Sequence, residues 1–294
     1  MQIMITGASG FIATHLIVEL LERFPSCELK LVYRNPQRLI QHKRVVSLAP
    51  ESIPSHPCDV VINLAGAGLL DWPWTDTRRQ EIKNSRISFT TRLAKMMSES
   101  WQPKLFIQAS AIGYYGMSPR HHTAKETEPA GIDWAGELCS AWENASLACP
   151  AQRRVIMRLG VVLDPRGGAM ARMLPFFKLG MGAVIGSGSQ QMAWISLHDV
   201  IKAICWSIEN EHINGIYNLT AKDSITNREW TLLLAKHLHR PAWLSIPTWA
   251  LKLVFQEGAQ LLTVGVGINS DKIREAGFEF TYDSMENFLR GRVL

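Results

Sequence analysis

The first 25 residues carry the feature that most restricts the fold of this chain. A short apolar run, Gln2–Thr6, is cut off by Gly7, and apolar residues at helical spacing follow from Phe11 to Phe24. Apolar side chains three and four positions apart lie on one face of a helix, and Pro25 would end it. The pattern predicts a buried strand that turns sharply into an amphipathic helix, which is how an α/β domain begins.

The turn between strand and helix has the spacing G-x-x-G-x-x-A over residues 7–13, a variant of the dinucleotide-binding fingerprint. Gly7 permits the tight turn, Gly10 lets the backbone approach a pyrophosphate, and Ala13 lets the helix pack close to the sheet. Free N–H groups at the start of the helix would bind the phosphates. The strand before this turn and the helix after it favour a binding turn over an ordinary glycine turn.

Strand and helix patterns alternate over the first 163 residues. Apolar runs predict strands at 29–33, 45–48, 59–64, 104–109 and 154–163, and helical spacing predicts helices at 78–97 and 132–148. This alternation is typical of a parallel sheet covered on both faces. We therefore predict a Rossmann-type, doubly wound α/β fold, with an NAD(P)-binding domain over residues 1–163. Later strands such as 216–219 would complete its sheet.

Glycines interrupt the alternation beyond residue 163. We predict a smaller, substrate-side subdomain over residues 164–294. In it, an extended segment at 194–198 would lead into a helix from Asp199, its N-cap, to Glu209. Further helices are predicted at 230–239 and 247–255.

Composition narrows the function classes. The net charge of +5 is spread over 294 residues, which does not favour a nucleic-acid partner. Five scattered cysteines lack a C-x-x-C pair and metal-site spacing, so we expect reduced thiols and no metal. Neither a signal-peptide pattern nor an apolar stretch of roughly 18 residues occurs, so we expect a cytoplasmic protein with no membrane partner.

The segment after the second predicted strand bears on the choice of cofactor. An NAD site usually carries an acidic residue about 20 residues after the glycine turn, where it binds the ribose 2′-hydroxyl. No Asp or Glu occurs from Leu29 to Pro50, and Arg34 stands at the acid's place, followed by Asn35. A guanidinium matches a 2′-phosphate, and Arg38 or Lys43 could add to it. The alternative is an exposed loop arginine. The pattern favours NADP(H) over NAD(H).

Several motifs taken together resemble the extended short-chain dehydrogenase/reductases. They are T-G-x-x-G-F-I at 6–12, N-L-A-G at 63–66, S-A-I-G-Y-Y-G at 110–116 and W-I-S-L-H-D-V at 194–200. More narrowly, N-S-R at 84–86, R-L-G-V-V-L at 158–163 and E-A-G-F at 275–278 resemble an atypical "epimerase family" branch, described as nucleoside-diphosphate-sugar epimerases. The similarity spans nearly the whole chain.

The resemblance implies roles for individual residues. The pyrophosphate would be held by Gly7, Ser9, Gly10, Phe11 and Ile12. The adenine–ribose side would contact Leu64, Ala65 and Gly66, and the nicotinamide would lie near Leu159 and Gly160. Ser110 matches the catalytic Ser/Thr to within one residue. The substrate would be a small molecule, a nucleotide sugar or a carbonyl compound, and a homodimer is one expected assembly.

The chain departs from the wider family in its proton-transfer pair. That family carries Tyr-x-x-x-Lys on one helix, where the lysine lowers the pKa of the tyrosine. None of the five tyrosines has Lys four residues later. Trp134 or Ala135 stands near the tyrosine's place, and Leu138 or Cys139 near the lysine's. Neither pair can transfer protons in that way.

Substitutes for the missing pair are present but ambiguous. Tyr114 and Tyr115 follow the fifth strand near its carboxyl end, where ligands gather, although tyrosines there are also common pocket walls. Further candidates are His121, His122, Lys125, Glu137 and Glu143, for which a solvated loop or helix surface is the more common explanation. Trp194 is a weaker candidate for a pocket wall.

Two functional hypotheses follow. The first is an NADP(H)-dependent oxidoreductase or nucleotide-sugar epimerase/dehydratase that lacks the Tyr-x-x-x-Lys pair. The second is a non-catalytic, NADP(H)-binding module that senses redox state or regulates a partner.

Overall fold

The computed structural model describes residues 1–33, 40–69, 71–117 and 123–291. Seven strands in this part of the chain form one parallel sheet: β1 (Gln2–Thr6), β2 (Glu28–Val32), β3 (Val45–Leu48), β4 (Val60–Asn63), β5 (Leu105–Ala111), β6 (Arg153–Leu159) and β11 (Gly215–Leu219). Their order is β11-β6-β5-β4-β1-β2-β3. Since the order reverses beside β1, a ligand crevice opens at the carboxyl ends of β1 and β4. The predicted Rossmann-type sheet is confirmed, including its late strand.

The sheet strands are almost continuous apolar runs because helices cover both faces. Ile3 of β1 pairs with Leu29 of β2 on one side and with Val60 of β4 on the other. All four residues of β4 are buried. This register brings the ends of β1 and β4 to one level, which positions the site described below.

Two helix pairs flank the sheet. On one face α1 (Phe11–Arg23) packs beside α6 (Leu197–Glu209), and on the other α3 (Phe89–Ser98) packs beside α4 (Trp134–Leu147). The helix predicted over 78–97 is not uniform. Its first part, α2 (Asp76–Lys83), passes through a π-helical turn, Asn84–Ser88, into α3. Such turns redirect side chains and are frequent at functional sites.

The single strand predicted over 154–163 is wrong. Gly160 separates β6 from β7 (Val161–Asp164), which leaves the main sheet and pairs with β10 (Trp194–Ser196). A Cβ atom on Gly160 would lie 2.9 Å from the carbonyl oxygen of Ala193. Only glycine permits this close backbone approach.

The N-cap predicted for α6 is also wrong. Ser196 is the cap, and its Oγ accepts a hydrogen bond from the N–H of Asp199 at 2.9 Å. The buried Asp199 carboxylate instead accepts hydrogen bonds from the backbone N–H groups of Thr281 and Tyr282, at 2.7 and 3.1 Å. Asp199 therefore anchors the C-terminal segment to α6.

The later part of the chain builds a second core between α5 (Gly168–Lys178), α7 (Asn227–His237) and α11 (Met285–Arg290). Trp194 lies in it, fully buried, and its Nε1 donates to the Asp223 carbonyl at 3.1 Å, so its prediction as a pocket wall is wrong. The remaining elements are β8 (Ala183–Ile185), β9 (Gln191–Met192), β12 (Ile225–Thr226), β13 (Leu244–Ile246), α8 (Thr248–Phe255), α9 (Gln260–Thr263) and α10 (Asp271–Glu275).

Both cores contain residues from beyond position 163, since α6 and β11 belong to the layers of the main sheet. The division at residues 163 and 164 stays a prediction. In the described ranges, no helix has the length and apolar character needed to cross a membrane. Nor do three or more His, Cys, Asp or Glu side chains of those ranges converge as metal ligands would.

Candidate functional site

The glycine turn lies at the crevice between β1 and β4. Gly7 has a φ of +67°, in the left-handed region that favours glycine. A Cβ atom there would lie 2.6 Å from the carbonyl oxygen of Leu64, so the turn packs directly against the chain that leaves β4. Both the backbone conformation and this contact require glycine at position 7, as the tight turn predicted there does.

The helix that follows the turn begins without a side-chain cap. Gly10 is its N-cap residue, no side chain among the described residues accepts from the N–H groups of the first turn, and that turn holds no acidic residue. Ser9 and Gly10 are exposed, and Phe11 and Ile12 are partly buried. The N-terminus of α1 therefore offers donors and a positive dipole end to an anion, which fits a pyrophosphate.

Hydrogen bonds between buried side chains fix the end of β4. Asn63 Oδ1 accepts from Thr6 Oγ1 at 2.5 Å, while its Nδ2 donates to Thr90 and Gln108 at 2.9 and 2.8 Å. The next three residues line the crevice: Leu64 and Ala65 are partly buried and Gly66 is exposed. The network anchors Asn63, the residue from which the predicted adenine–ribose segment continues.

Leu159 and Gly160, the remaining predicted cofactor residues within the described ranges, lie where β6 ends. Leu159 is 8% exposed, and Gly160 is buried where β6 ends. The ring of Phe11 lies against a glycine pair at the start of α5, where a Cβ atom on Gly167 would be 2.3 Å from it. The later part of the chain thus closes over the first turn of α1. Arg34, Asn35 and Arg38 lie outside the described residues, as do His121 and His122.

Ser110 is in β5, not after it, and belongs to a buried polar cluster. Its Oγ donates to Glu143 Oε1 at 2.6 Å, and Ser110 is 3% exposed. Glu143, on α4, forms a bidentate ion pair with Arg158 of β6, with distances of 2.9 and 2.8 Å. The helix-surface explanation for Glu143 is therefore wrong, since this carboxylate is 4% exposed.

The two predicted tyrosines have different environments. The Tyr115 hydroxyl accepts from Arg158 at 2.9 Å and donates to Asn218 Oδ1 at 2.7 Å, and the residue is 1% exposed. Burial raises the pKa of Tyr115 to about 12, although Arg158 opposes this shift. Tyr114 is partly exposed, and the Arg158 guanidinium stacks 3.3 Å from its ring centroid. Of the candidates Ser110, Tyr114 and Tyr115, Tyr114 is the most accessible to a substrate.

Arg158 is charged although it is buried in a strand. Burial lowers its pKa, but the hydrogen bonds and charge of Glu143 more than offset this, so the pKa of Arg158 lies above its usual value. No role was predicted for Arg158 from the sequence, although the sequence carries a signal of its buried ion pair. An arginine inside the apolar run Val155–Leu159 must find a buried acidic partner.

The place of the missing Tyr-x-x-x-Lys pair is occupied by small, apolar or weakly polar groups. Ala135 and Cys139 face the turn after β5, where a Cβ atom on Gly113 would lie 3.7 Å from Ala135 Cβ and 3.5 Å from Cys139 Sγ. Both residues are about 5% exposed. Burial raises the pKa of the Cys139 thiol to about 12, so it is neutral near pH 7. Neither residue can replace the pair.

Comparison with known proteins agrees with this geometry. The model of the NAD dependent epimerase/dehydratase family matches residues 3–220, and that of a domain of unknown function matches residues 246–291. The human epimerase family protein SDR39U1 is 32% identical, over 99% of each chain. An epimerase family protein of Mycobacterium bovis is 34% identical, over 97% of this chain and 95% of its own.

Solved structures extend the comparison. Human SDR39U1, crystallised with NADPH, superposes with a TM-score of 0.90 at 29% identity, over 99% of this chain and 98% of the other. The UDP-glucose 4-epimerase of Thermotoga maritima, solved with UDP-glucose, has a TM-score of 0.79 at 19% identity, over 99% and 96% of the two chains. The second likeness concerns the fold alone.

Proposed function

Because this chain belongs to the NAD dependent epimerase/dehydratase family, we propose that it binds NADP(H) at the carboxyl edge of its sheet. The observation that carries the proposal is the uncapped N-terminus of α1 beside the left-handed Gly7. A dinucleotide pyrophosphate satisfies those free N–H groups. The NADPH in the structure of the similar human protein supports the same cofactor.

In this proposal Gly7, Ser9, Gly10, Phe11 and Ile12 hold the pyrophosphate. The chain after β4 lies along the adenine–ribose side, and Leu159 and Gly160 lie near the nicotinamide. Arg34 and Asn35 bind the 2′-phosphate, which makes NADP(H) the preferred cofactor over NAD(H). The nicotinamide supplies or accepts a hydride when it is bound.

Titration with NADPH and NADH, followed by tryptophan fluorescence, tests the cofactor site. We expect NADPH to bind more tightly, and Arg34→Ala to weaken NADPH binding by about 10- to 100-fold, since hydrogen bonds to charged groups contribute about 1.5–3 kcal/mol. NADH binding should be unchanged. Arg92→Ala is the control, because Arg92 lies on the surface of α3 and its side chain pairs with Glu51. A protein that binds neither nucleotide contradicts the proposal.

For catalysis we propose an oxidoreductase or epimerase/dehydratase that acts on a carbonyl compound or nucleotide sugar. Reduction of a carbonyl adds a hydride to carbon and a proton to oxygen, and Tyr114 is the group we propose as proton donor. Its partial exposure and the Arg158 guanidinium stacked on its ring support this role. Ser110 and Tyr115 then act through the buried cluster that positions Arg158.

A panel of carbonyl compounds and nucleotide sugars, UDP-glucose included, tests catalysis by NADPH oxidation and by product analysis. Tyr114→Phe should lower turnover by about 10²-fold or more and leave NADPH affinity unchanged. Tyr115→Phe should mainly lower stability, because its hydroxyl is buried between Arg158 and Asn218. Full turnover by Tyr114→Phe excludes Tyr114 as the donor.

A second candidate is a non-catalytic NADP(H)-binding module with a sensing role. The engaged hydroxyls of Ser110 and Tyr115 and the apolar place of the Tyr-x-x-x-Lys pair favour it. It predicts tight NADPH binding, no oxidation of NADPH by any substrate of the panel, and a partner whose affinity depends on the cofactor. The cytoplasm as its location and a homodimer as its assembly are further proposals, for cell fractionation and light scattering to test.

A further inference from the structure

Arg86 lies at the crevice, and the function proposed above gives its guanidinium no role. It lies in the π-helical turn Asn84–Ser88, and its Nη1 donates to the Ala67 carbonyl oxygen at 2.9 Å. A Cβ atom on Gly66 would lie 3.1 Å from the guanidinium carbon, so Arg86 is in contact with the chain leaving β4. On its other side the guanidinium lies 5.1 Å from the ring centroid of Trp142 on α4.

Among the described residues, no carboxylate pairs with this cation. Within the described part of the chain, the ionisable groups that act on it are the Cys139 thiol and the Arg78 guanidinium, and neither is a carboxylate. Burial lowers the pKa of Arg86 to about 10, so it is still protonated at neutral pH. A largely buried positive charge without a counter-ion is costly, and the ligand of the crevice can reduce that cost.

Arg86 lies beside the part of α4 where the missing Tyr-x-x-x-Lys pair would stand. Cys139 stands near the lysine's place on α4, where burial raises the pKa of its thiol and the positive charge of Arg86 opposes that shift. Trp142, over which the guanidinium lies, is three residues further along the same helix face. A cation is therefore present beside this part of α4, but it comes from the turn between α2 and α3.

The strand order indicates which half of a dinucleotide Arg86 would meet. The residue that would bind the 2′-phosphate follows β2, on one side of β1, whereas α4, which carries Trp142 beside Arg86, packs on β5 on the other side. A dinucleotide laid across the carboxyl edge, with its pyrophosphate at β1, has its nicotinamide half on the side of β5 and β6, where Leu159 and Gly160 are proposed to meet the ring.

We propose that Arg86 is the cation of the nicotinamide half of the site, and that it makes the site favour reduced NADPH over oxidised NADP⁺. Guanidinium N–H groups would donate to ribose hydroxyls or phosphate oxygens of that half. The oxidised nicotinamide ring carries a positive charge, which Arg86 repels, whereas the reduced ring is neutral. The inference rests on the proposed cofactor site and adds selection by redox state to it.

The experiment measures dissociation constants for NADPH, NADP⁺ and 2′,5′-ADP, a fragment that lacks the nicotinamide half. We expect wild type to bind NADPH about tenfold more tightly than NADP⁺. This is the order of repulsion between like charges about 10 Å apart at an effective dielectric constant of about 20. Arg86→Met should bring the two constants close together, weaken NADPH binding, and leave 2′,5′-ADP binding unchanged.

Two further variants separate charge from structure. Arg86→Lys keeps the charge and should keep the preference for NADPH. In the Arg86→Met background, Cys139→Lys places a cation on α4 instead. This second change should restore part of the preference for NADPH. Thermal unfolding monitors the fold of each variant. If Arg86→Met unfolds at the assay temperature, Arg86→Gln, which keeps an amide donor without the charge, replaces it.

The outcomes distinguish this inference from the proposed function. Wild type that binds NADPH and NADP⁺ equally overturns the role of Arg86 without any variant, while the cofactor site stands. A folded Arg86→Met that keeps the wild-type preference overturns it as well. Equal losses for all three ligands indicate a structural role only. Wild type that binds none of the ligands contradicts the cofactor site itself.

Discussion

At the residue scale, the buried pair of Glu143 and Arg158 carries a large electrostatic penalty if it is broken. Their side chains are 5% and 1% exposed, and two hydrogen bonds join them. Removal of one partner leaves the other charge buried alone, which costs far more than the loss of a surface pair. The pair also fixes Ser110 and both tyrosines, so stability and site geometry depend on the same contact.

Glu143→Ala should lower the free energy of unfolding by about 3–5 kcal/mol, measured by urea denaturation. The matched control is Glu51→Ala, which removes the surface partner of Arg92, a pair with 72% and 49% exposed side chains. That change should cost less than about 1 kcal/mol. Equal losses for the two variants would mean that the buried carboxylate is not needed to neutralise Arg158.

Because several thiols are buried, the free energy of unfolding should depend on pH in the alkaline range. Burial raises the pKa of Cys58 to about 11 and those of Cys149 and Cys205 to about 12, from a reference value of 9.0. Because the pKa of each thiol is higher in the folded state than in the unfolded state, the contribution of the neutral thiol to the free energy of unfolding is complete below about pH 9. It is lost as pH rises through 11 to 12.

We therefore expect the free energy of unfolding to fall between pH 9 and 11, by about 1.4 kcal/mol per pH unit for each such thiol. Cys149→Ala isolates one of them in urea denaturation at several pH values. The stability difference between this variant and wild type should shrink as pH rises through that range. A difference that is constant with pH would show that the Cys149 thiol does not titrate abnormally.

At the element scale, the junction of β1 and α1 depends on Gly7 for two separate reasons, its positive φ and its contact with the carbonyl of Leu64. Gly277 separates these reasons. It has a φ of +98°, but a Cβ atom there would meet no atom of the described residues within 4 Å. The pair therefore offers a matched comparison between backbone strain alone and strain combined with a steric clash.

Gly7→Ala should destabilise the protein by more than about 2 kcal/mol and abolish NADPH binding, because the turn must move away from β4. Gly277→Ala should cost about 1–2 kcal/mol and leave NADPH binding intact. Thermal unfolding and fluorescence titration measure the two effects. NADPH binding by Gly7→Ala at wild-type affinity would contradict the placement of the pyrophosphate at this turn.

At the scale of the whole molecule, two cores are joined through Gly160. The strand β6 belongs to the main sheet, and β7 after it pairs with β10, whose Trp194 lies in the second core. Phe288 of α11 is fully buried there, with its ring centroid 5.4 Å from that of Trp194 and 5.7 Å from that of Tyr282. The C-terminal helix thus stabilises the part of the chain that covers the glycine turn.

Phe288→Ala should lower the free energy of unfolding by about 3–5 kcal/mol, the usual cost of a large cavity in a core. The exposed Phe176 of α5, which is 58% accessible, offers the control, since Phe176→Ala should cost less than about 1 kcal/mol. Urea denaturation followed by tryptophan fluorescence measures both. A small effect of Phe288→Ala would mean that the second core repacks around the lost ring.

Local patterns determined much of this protein. The glycine turn, the alternation of strands and helices, and the late strand at Ile216–Leu219 follow from spacing that the chain displays within short windows. They are predictable because backbone sterics and burial on one or both faces act over a few residues. For the same reason the glycine at position 7 could be assigned a role before its φ was known.

Tertiary structure alone decided which polar side chains meet. Glu143 and Arg158 are 15 residues apart, and Arg86 and Trp142 are 56 apart, yet the layers of the fold bring each pair together. A charged side chain in sequence is compatible with solvent or with a buried partner, and only packing chooses between them. Gly160 likewise divides a strand because of a backbone contact with Ala193, 33 residues away, which no local pattern encodes.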